Sequence, residues 1–328
     1  MNPFQYERAR DVAGAVRSVS PRSKFLAGGT NLIDLMKNGV ERPEMLIDVN
    51  RVALATIDSL PDGGLRLGAL ARNADTANHP LVRQRYPLLS LAILSGASPQ
   101  LRNLATNGGN LLQRTRCPYF MDPVFPQCNK RAPGTGCGAL DGFNRMHAIL
   151  GASDQCIAVH PSDMCVALTA LEANIRVQGK SGERTIKMAD FHRLPGDTPE
   201  ADTNLKPDEL IVSIDLPPSP YAAHSHYLKV RDRASYEFAL ISVAAALELD
   251  SGGAIRSARI TLGGVAHKPW RPEAAEKLIA GQKPSPSLFE MAGEAAIAGA
   301  KPYRGNAFKV EMAKRAVARA LANAEGVA

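Results

Sequence analysis

The chain has 328 residues, of which 45% are hydrophobic and 22% charged, and its formal net charge is +7. These values are typical of a folded chain of two domains, or of one large domain with subdomains, and they argue against disordered and fibrous classes. Aromatic residues are only 5% of the chain and the positive residues are dispersed, so we expect no nucleic-acid binding. The first ten residues hold no apolar run, and no apolar stretch is long enough to span a bilayer, so we expect neither a signal peptide nor membrane insertion.

The first 50 residues alternate short helical and extended patterns around a glycine turn. Helices are predicted at residues 11–18 and 31–38, and strands at residues 24–27 and 45–49. This order predicts a small βαβ-like unit, and we place the first subdomain at residues 1–55.

The second subdomain is predicted at residues 56–219. Its first half contains a strand pattern at residues 64–70 and helical patterns at residues 74–79 and 81–97. From about residue 114 to residue 156 the pattern is lost, because proline, glycine and cysteine interrupt every period. A loop of this length inside a compact domain is uncommon unless it is functional or held by an inorganic group.

The segment Pro217-Pro218-Ser219-Pro220 is the best linker candidate, because consecutive prolines favour an extended path with few hydrogen bonds. Beyond it, strand patterns at residues 222–230, 238–249 and 254–262 precede three helical patterns that begin at residues 271, 286 and 307. Strands followed by helices indicate an α+β domain at residues 220–328.

A first glycine loop lies in residues 24–34, KFLAGGTNLID. A strand leads into the turn at Gly28 and Gly29, and Thr30 and Asn31 are in position to cap a helix. Glycines let backbone N–H groups approach a ligand closely, and the start of a helix favours a phosphate. The alternative is an ordinary strand-to-helix turn, since the G-x-G-x-x-G spacing is absent.

A second glycine loop lies at residues 106–111, in the sequence TNGGNL. On its own it could equally be a type I′ hairpin turn, for which Asn-Gly-Gly is well suited. Two such loops about 80 residues apart favour a dinucleotide ligand, which has two phosphates to hold.

Five cysteines are present, at Cys117, Cys128, Cys137, Cys156 and Cys165. The first four enclose the irregular segment with a C-x10-C-x8-C-x18-C spacing, whereas Cys165 lies in an apolar stretch and is expected to be a small buried hydrophobe. A zinc knuckle with the C-x2-4-C spacing is absent. The spacing leaves an iron–sulfur cluster, disulfides and free thiols open.

The chain resembles the FAD subunits of the xanthine dehydrogenase and carbon monoxide dehydrogenase family over its whole length. The resemblance rests on four motifs, AGGTN, RNLATNGGN, HPSDM and KVRDRASYEFA, which begin at residues 27, 102, 160 and 229. The cysteine segment is similar to that of the FAD subunits of bacterial periplasmic aldehyde oxidoreductases and, more distantly, of 4-hydroxybenzoyl-CoA reductase. The resemblance implies a two-subdomain FAD-binding fold of the vanillyl-alcohol-oxidase (PCMH) type, followed by an α+β C-terminal domain of the CO-dehydrogenase flavoprotein type.

The resemblance also implies specific ligands. The pyrophosphate of FAD would be held by Lys24, Phe25, Leu26, Ala27, Gly28, Gly29, Thr30, Asn31 and Leu32. Thr106, Gly109 and Asn110 would line the second loop, Asp163 would hydrogen-bond the sugar or ribityl portion, and Lys229 would lie beside the isoalloxazine. Asp163 could instead cap a helix, and Lys229 could be a solvated strand residue. Cys117, Cys128, Cys137 and Cys156 would ligate a [4Fe-4S] cluster.

The implied function is electron transfer without a catalytic residue in this chain. Aldehyde oxidation would occur at a molybdenum cofactor on a large subunit, and electrons would pass through a [2Fe-2S] small subunit to FAD and then to an external acceptor. Alternatives are a 4-hydroxybenzoyl-CoA reductase-type or xanthine dehydrogenase-type FAD subunit, or a non-enzymatic binding module stapled by disulfides or zinc. The complex is expected in the periplasm, exported with a signal-bearing partner, or in the cytoplasm.

Overall fold

The fold is described by a computed structural model, which covers residues 1–326. The N-terminal part contains β1 (Gln5–Arg8), α1 (Val12–Ser18), β2 (Ser23–Leu26), α2 (Leu32–Lys37) and β3 (Met45–Asp48). The three strands form a parallel sheet in the order β1-β3-β2, so the βαβ-like prediction is confirmed.

The two helices of this unit begin in different ways. Asp11 caps α1, because its side chain accepts the backbone N–H of Gly14 at 2.6 Å. The predicted capping role of Asn31 at α2 is wrong, because its side chain makes no bond to that helix. Its Oδ1 instead accepts the backbone N–H of Arg114 at 2.9 Å. Asn31 therefore ties the first glycine loop to the start of the cysteine segment.

The second part is built on a five-stranded antiparallel sheet in the order β4-β5-β8-β6-β7. Its strands are β4 (Ile57–Ser59), β5 (Leu65–Gly68), β6 (Asn174–Gly179), β7 (Gly182–Lys187) and β8 (Leu210–Leu216). Its helices are α3 (Asn73–Asn78), α4 (Pro80–Arg85), α5 (Pro87–Ser95), α6 (Pro99–Arg102), α7 (Asn107–Leu111), α8 (Pro118–Met121), α9 (Asp163–Ala170) and α10 (Met188–Phe191).

One local expectation fails in this part, and one alternative is excluded. The helical pattern at residues 81–97 is two helices, because Tyr86 precedes Pro87 and takes a non-helical conformation with φ −135° and ψ 52°. The second glycine loop is not a hairpin turn, because Asn107–Leu111 is a helical turn that follows Thr106.

The C-terminal part is a three-stranded antiparallel sheet, in the order β11-β10-β9, packed against helices. It contains β9 (Ser225–Val230), β10 (Ile241–Leu249), β11 (Ile255–Gly263), α11 (Glu273–Ile279), α12 (Pro286–Ala296) and α13 (Phe308–Glu325). In residues 1–326, no helix is both long enough and apolar enough to cross a bilayer.

Strand β10 joins the cores of the second and third parts. Val243 and Leu247 pack into the core formed with α11–α13, whereas Ala244 and Ala246 face the core of the second part. Both faces of the strand are therefore buried, which explains its unbroken apolar sequence.

A buried ion network centred on Asp202 holds several segments together. The carboxylate accepts hydrogen bonds from Arg114 Nε at 2.7 Å and from Lys130 Nζ, and His267 Nε2 lies 3.7 Å away. Arg114 also donates to Glu41 Oε1 at 2.6 Å. Burial alone would raise the pKa of Asp202, but Lys130, Arg114 and His267 hold it well below its usual range. The network links the cysteine segment to the first and third parts of the chain.

Replacing Asp202 with asparagine should lower the free energy of unfolding at pH 7 by about 3 kcal/mol, because Arg114 and Lys130 lose their shared charge partner. A carboxylate whose pKa is lowered by folding stabilises the protein above its unfolded pKa of about 3.9. The difference from the unmodified protein should therefore shrink as the pH falls below about 4. Urea unfolding at several pH values measures it, and Glu200→Gln, at an exposed residue, is the control. Equal stability of D202N and the unmodified chain at pH 7 would contradict the role of the network.

Candidate cofactor cleft and cysteine site

Two neighbouring cavities share the glycine loops. The large cavity, about 420 Å³, is lined by all nine residues from Lys24 to Leu32, together with Thr106 and Gly109. The small cavity, about 300 Å³, is lined by Asn110 and Asp163. Thr30, Asn31 and Gly109 line both cavities. The structure thus brings all the predicted cofactor residues to one cleft except Lys229, which lines neither cavity.

The first glycine loop packs directly against the backbone before the second. A Cβ atom at Gly28 would overlap the carbonyl oxygen of Leu104 and would lie 2.9 Å from its carbonyl carbon. Gly29 has φ +72°, a left-handed conformation that favours glycine. The first glycine therefore permits the two loops to touch, and the second permits the turn.

An amide network that the sequence did not reveal fixes the second loop. Asn107 is fully buried, and its Nδ2 donates to the Gly68 carbonyl at 3.2 Å and to Thr76 Oγ1 at 2.9 Å. Asn110 Nδ2 donates to Asn73 Oδ1 at 2.7 Å. Buried amides with all these partners hold a single loop conformation, which presents the backbone of Gly109 to the cleft.

Asp163 and Lys229 form a buried ion pair. Lys229 Nζ donates to Asp163 Oδ2 at 2.8 Å and to the Ser95 carbonyl at 3.0 Å, and Tyr227 donates to Asp163 Oδ1 at 2.8 Å. The Lys229 side chain is only 4% exposed, so it is not a solvated strand residue. Asp163 does not cap α9 either, because the capping side chain is that of Ser162. Asp163 neutralises the charge that was expected from Lys229.

Arg116 also lines the cleft, although none of the sequence motifs predicted that it would contact the cofactor. It lines the small cavity, and its guanidinium carbon lies 5.3 Å from the centre of the Phe238 ring. Among residues 1–326 the guanidinium has no hydrogen-bond or ion-pair partner, and its Nε is buried. Burial lowers the pKa of this group.

Cys117, Cys128, Cys137 and Cys156 line one enclosed cavity, here called the cysteine cavity. All four thiols are free. The backbones of Cys128 and Cys137 are paired in an isolated antiparallel β-bridge. His147 Nε2 lies 3.1 Å from Cys117 Sγ. Cys165 is buried on α9 outside this cavity, as expected. Tertiary structure therefore gathers the four predicted ligands.

The spacing of these sulfurs argues against a single metal ion. In the described part of the chain, no three of them lie within 4.8 Å of one another. Four sulfurs around one tetrahedral zinc, each about 2.3 Å from the metal, are only about 3.8 Å apart. Burial raises the pKa of Cys117 to about 12 and of Cys156 to about 11. The thiols of Cys117 and Cys156 are therefore protonated without metal, and metal binding would displace their protons.

Most basic residues of the cysteine segment bind other partners. Arg114 pairs with acids, Arg131 donates to backbone carbonyls such as that of Tyr119, and Arg145 pairs with Asp232. Only Lys130 lines the cysteine cavity. The basic residues of this segment therefore contribute little positive charge to the cavity.

His160, His192 and Cys165 also lie close together, with ligand atoms within 4.8 Å of one another. His160 Nδ1 faces the backbone N–H of Ser162 at 3.3 Å, so it accepts and leaves the proton on Nε2. That nitrogen has no lone pair to offer a metal. The group is therefore better described as buried neutral histidines, consistent with the lowered pKa values of His160 and His192.

Two glycine loops thus meet at one cleft of an α+β fold, and both parts of the chain match known family models. Residues 2–219 match the FAD binding domain in molybdopterin dehydrogenase, and residues 226–324 match the CO dehydrogenase flavoprotein C-terminal domain. The chain belongs to the family of FAD-binding subunits of molybdenum hydroxylases, which are oxidoreductase subunits.

Similar proteins cover the whole chain. It is 51% identical over 333 residues to the aldehyde oxidoreductase FAD-binding subunit PaoB of Escherichia coli, covering 100% of both chains. It is 29% identical to the glyceraldehyde dehydrogenase medium chain of Sulfolobus acidocaldarius, over 88% of this chain and 84% of that one. Carbon monoxide dehydrogenase from Hydrogenophaga pseudoflava superposes with a TM-score of 0.76 at 28% identity, covering 99% and 97% of the chains.

Replacing Gly28 with alanine should weaken FAD binding roughly tenfold to hundredfold. The added methyl group must separate the two loops, and overpacking of this kind costs about 1–3 kcal/mol. FAD content per purified chain and the affinity for added FAD measure the effect. Gly252→Ala, in an exposed turn, is the matched control and should bind FAD normally. Unchanged FAD affinity in G28A would show that contact between the loops does not shape the site.

Proposed function

We propose that this chain is the FAD-carrying subunit of a molybdenum hydroxylase complex that oxidises aldehydes to carboxylic acids. The main observation in support of this proposal is the 51% identity over the full length to a FAD-binding subunit of an aldehyde oxidoreductase. The cleft supports the same assignment, because both glycine loops and Asp163 meet at two adjoining cavities. Bound FAD would accept electrons that originate at the molybdenum subunit and deliver them to an external acceptor.

The residues of this chain would bind and orient the cofactor. The pyrophosphate is assigned to the loop from Lys24 to Leu32, where the glycine backbone can approach it closely, and Gly109 lines the same cavity. Because Thr30, Asn31 and Gly109 line both cavities, the two ends of a dinucleotide can extend from the loops into the two cavities. We assign the flavin to the small cavity, because that cavity contains Asp163, the residue assigned to the ribityl portion, and the adenine to the large cavity.

We also propose that Cys117, Cys128, Cys137 and Cys156 ligate a [4Fe-4S] cluster. They line one cavity, no three of their sulfurs are close enough for a single ion, and four thiolates are the usual ligands of such a cluster. The lysine in the wall, Lys130, is already paired with Asp202, so few counter-charges remain, which favours a cluster of low charge. The cluster would hold together a segment that has little regular structure.

The partners proposed for this subunit are a large molybdenum-cofactor subunit and a small [2Fe-2S] subunit. Two of the similar proteins are named as medium chains, of glyceraldehyde dehydrogenase and of carbon monoxide dehydrogenase. Export of the assembled complex to the periplasm with a signal-bearing partner is the proposed location, and a cytoplasmic complex is the alternative.

Anaerobic addition of an aldehyde tests the function. In the purified complex the visible absorbance of the flavin should bleach, because electrons reach it from the molybdenum subunit. The isolated FAD-loaded chain should not bleach with the same aldehyde, although dithionite should reduce it. If the redox state of the flavin changes with a purine but with no aldehyde, the xanthine dehydrogenase-type function is favoured. If it changes with an aromatic CoA thioester but with no aldehyde, the 4-hydroxybenzoyl-CoA reductase-type function is favoured.

Replacing Cys128 with serine tests the cluster. Loss of one thiolate ligand should remove about four irons per chain and the matching acid-labile sulfide, while most of the FAD remains bound. Cys165→Ser is the control, because this buried cysteine lies outside the cysteine cavity and the variant should keep its iron. Iron retained by C128S, or absent from the unmodified protein, would exclude the proposed ligand set.

A further inference from the structure

A narrow cavity, here called the connecting cavity, lies between the two proposed redox sites. It shares Arg116, Asp163 and Phe238 with the small cavity, and Cys117 and His147 with the cysteine cavity. Arg116 therefore stands at the flavin end of this cavity, directly before the first predicted cluster ligand in the chain.

The other cations at this end of the cleft already have hydrogen-bond or ion-pair partners, although the partners of Arg102 are neutral carbonyl oxygens. Arg102 donates to the carbonyls of Leu94 and Gly96, and Arg233 pairs with Glu237 at 3.2 Å. Lys229, which was expected to place a charge beside the isoalloxazine, is neutralised by Asp163 at 2.8 Å. Of the described cations that line the small cavity, Arg116 is the one without a hydrogen-bond or ion-pair partner.

The Arg116 side chain is partly buried and its charge has no ion-pair partner within residues 1–326, which is unfavourable, and an anion in the cavity would compensate it. An arginine side chain stays protonated in proteins, so it cannot relieve the burial by losing its proton. The acid whose charge raises the pKa of Arg116 is Asp34, which lines the same cavity but forms no ion pair with it. An uncompensated cation at this place indicates a ligand that is, or becomes, negative.

We propose that the Arg116 guanidinium faces the flavin ring and favours its reduced, negatively charged form. This inference rests on the proposed function. Uptake of two electrons and one proton by a flavin leaves one negative charge on the ring, and the electrons come from the aldehyde through the molybdenum subunit. A fixed positive charge close to that site makes reduction easier in a partly buried cavity.

Potentiometric titration of the flavin in the purified complex tests the proposal, with dithionite as reductant and mediator dyes. Arg116→Gln should make the flavin harder to reduce. At a fixed potential the ratio of reduced to oxidised flavin should fall on the order of tenfold, which corresponds to a decrease of about 30 mV in the reduction potential of a two-electron couple. Arg116→Lys keeps the charge and should retain most of the native potential. Arg256→Gln, which removes the same charge from the exposed surface, should leave the potential unchanged.

The outcomes separate this inference from the proposed function. A potential that is the same in R116Q and the unmodified complex, with FAD and iron retained, overturns the role of Arg116 and leaves the FAD assignment intact. If R116Q loses FAD while R116K keeps it at the native potential, the charge is required and the proposal stands. Loss of FAD from both variants shows a structural role and overturns the proposal. An unmodified complex without flavin overturns the proposed function itself.

Discussion

The carboxylate of Asp202 is the point at which distant segments of this protein are held together. Arg114 reaches it from the start of the cysteine segment and Lys130 from between Cys128 and Cys137, and His267 approaches it from the C-terminal part. Lys130 is 1% exposed, so its ammonium depends on this carboxylate and on the Pro199 carbonyl for compensation. A segment with almost no regular structure is thereby fixed at a defined place, and the cleft and the cysteine cavity keep their relative positions.

The same fixation explains why the cleft and the cysteine cavity lie side by side. Arg114, Arg116 and Cys117 are almost consecutive, yet they serve the ion network, the flavin cavity and the cysteine cavity respectively. Three different demands on a stretch of four residues leave little freedom for its path. Movement of the Asp202 ion network would therefore disturb both proposed redox sites. This gives a physical reason for an ion pair at a position where a hydrophobic contact would have a smaller desolvation cost.

Local sequence determined several features correctly. The alternation of strand and helix patterns predicted the first parallel unit, and the apolar run around Ala244 predicted a buried strand. Proline and tertiary contacts limited the rest. Pro87 divides a continuous helical pattern, because the residue before a proline avoids the helical conformation. Asn31 looked like a helix cap, but its amide oxygen is used by a backbone N–H that lies 83 residues further along the chain.

For the site, the sequence by itself predicted the residues to which we assign the chemistry: the two glycine loops, the four cysteines and Asp163. Glycine content and residue type are local properties, so they can be recognised without coordinates. Only the tertiary structure decided how charge is distributed among these residues. The charge of Lys229 is neutralised by Asp163, which lies 2.8 Å away, whereas no acid in the described part of the chain forms an ion pair with Arg116. Gly28 is required because the Leu104 carbonyl occupies the space of a side chain. Each of these depends on contacts between segments far apart in sequence, and no local pattern encodes such distances.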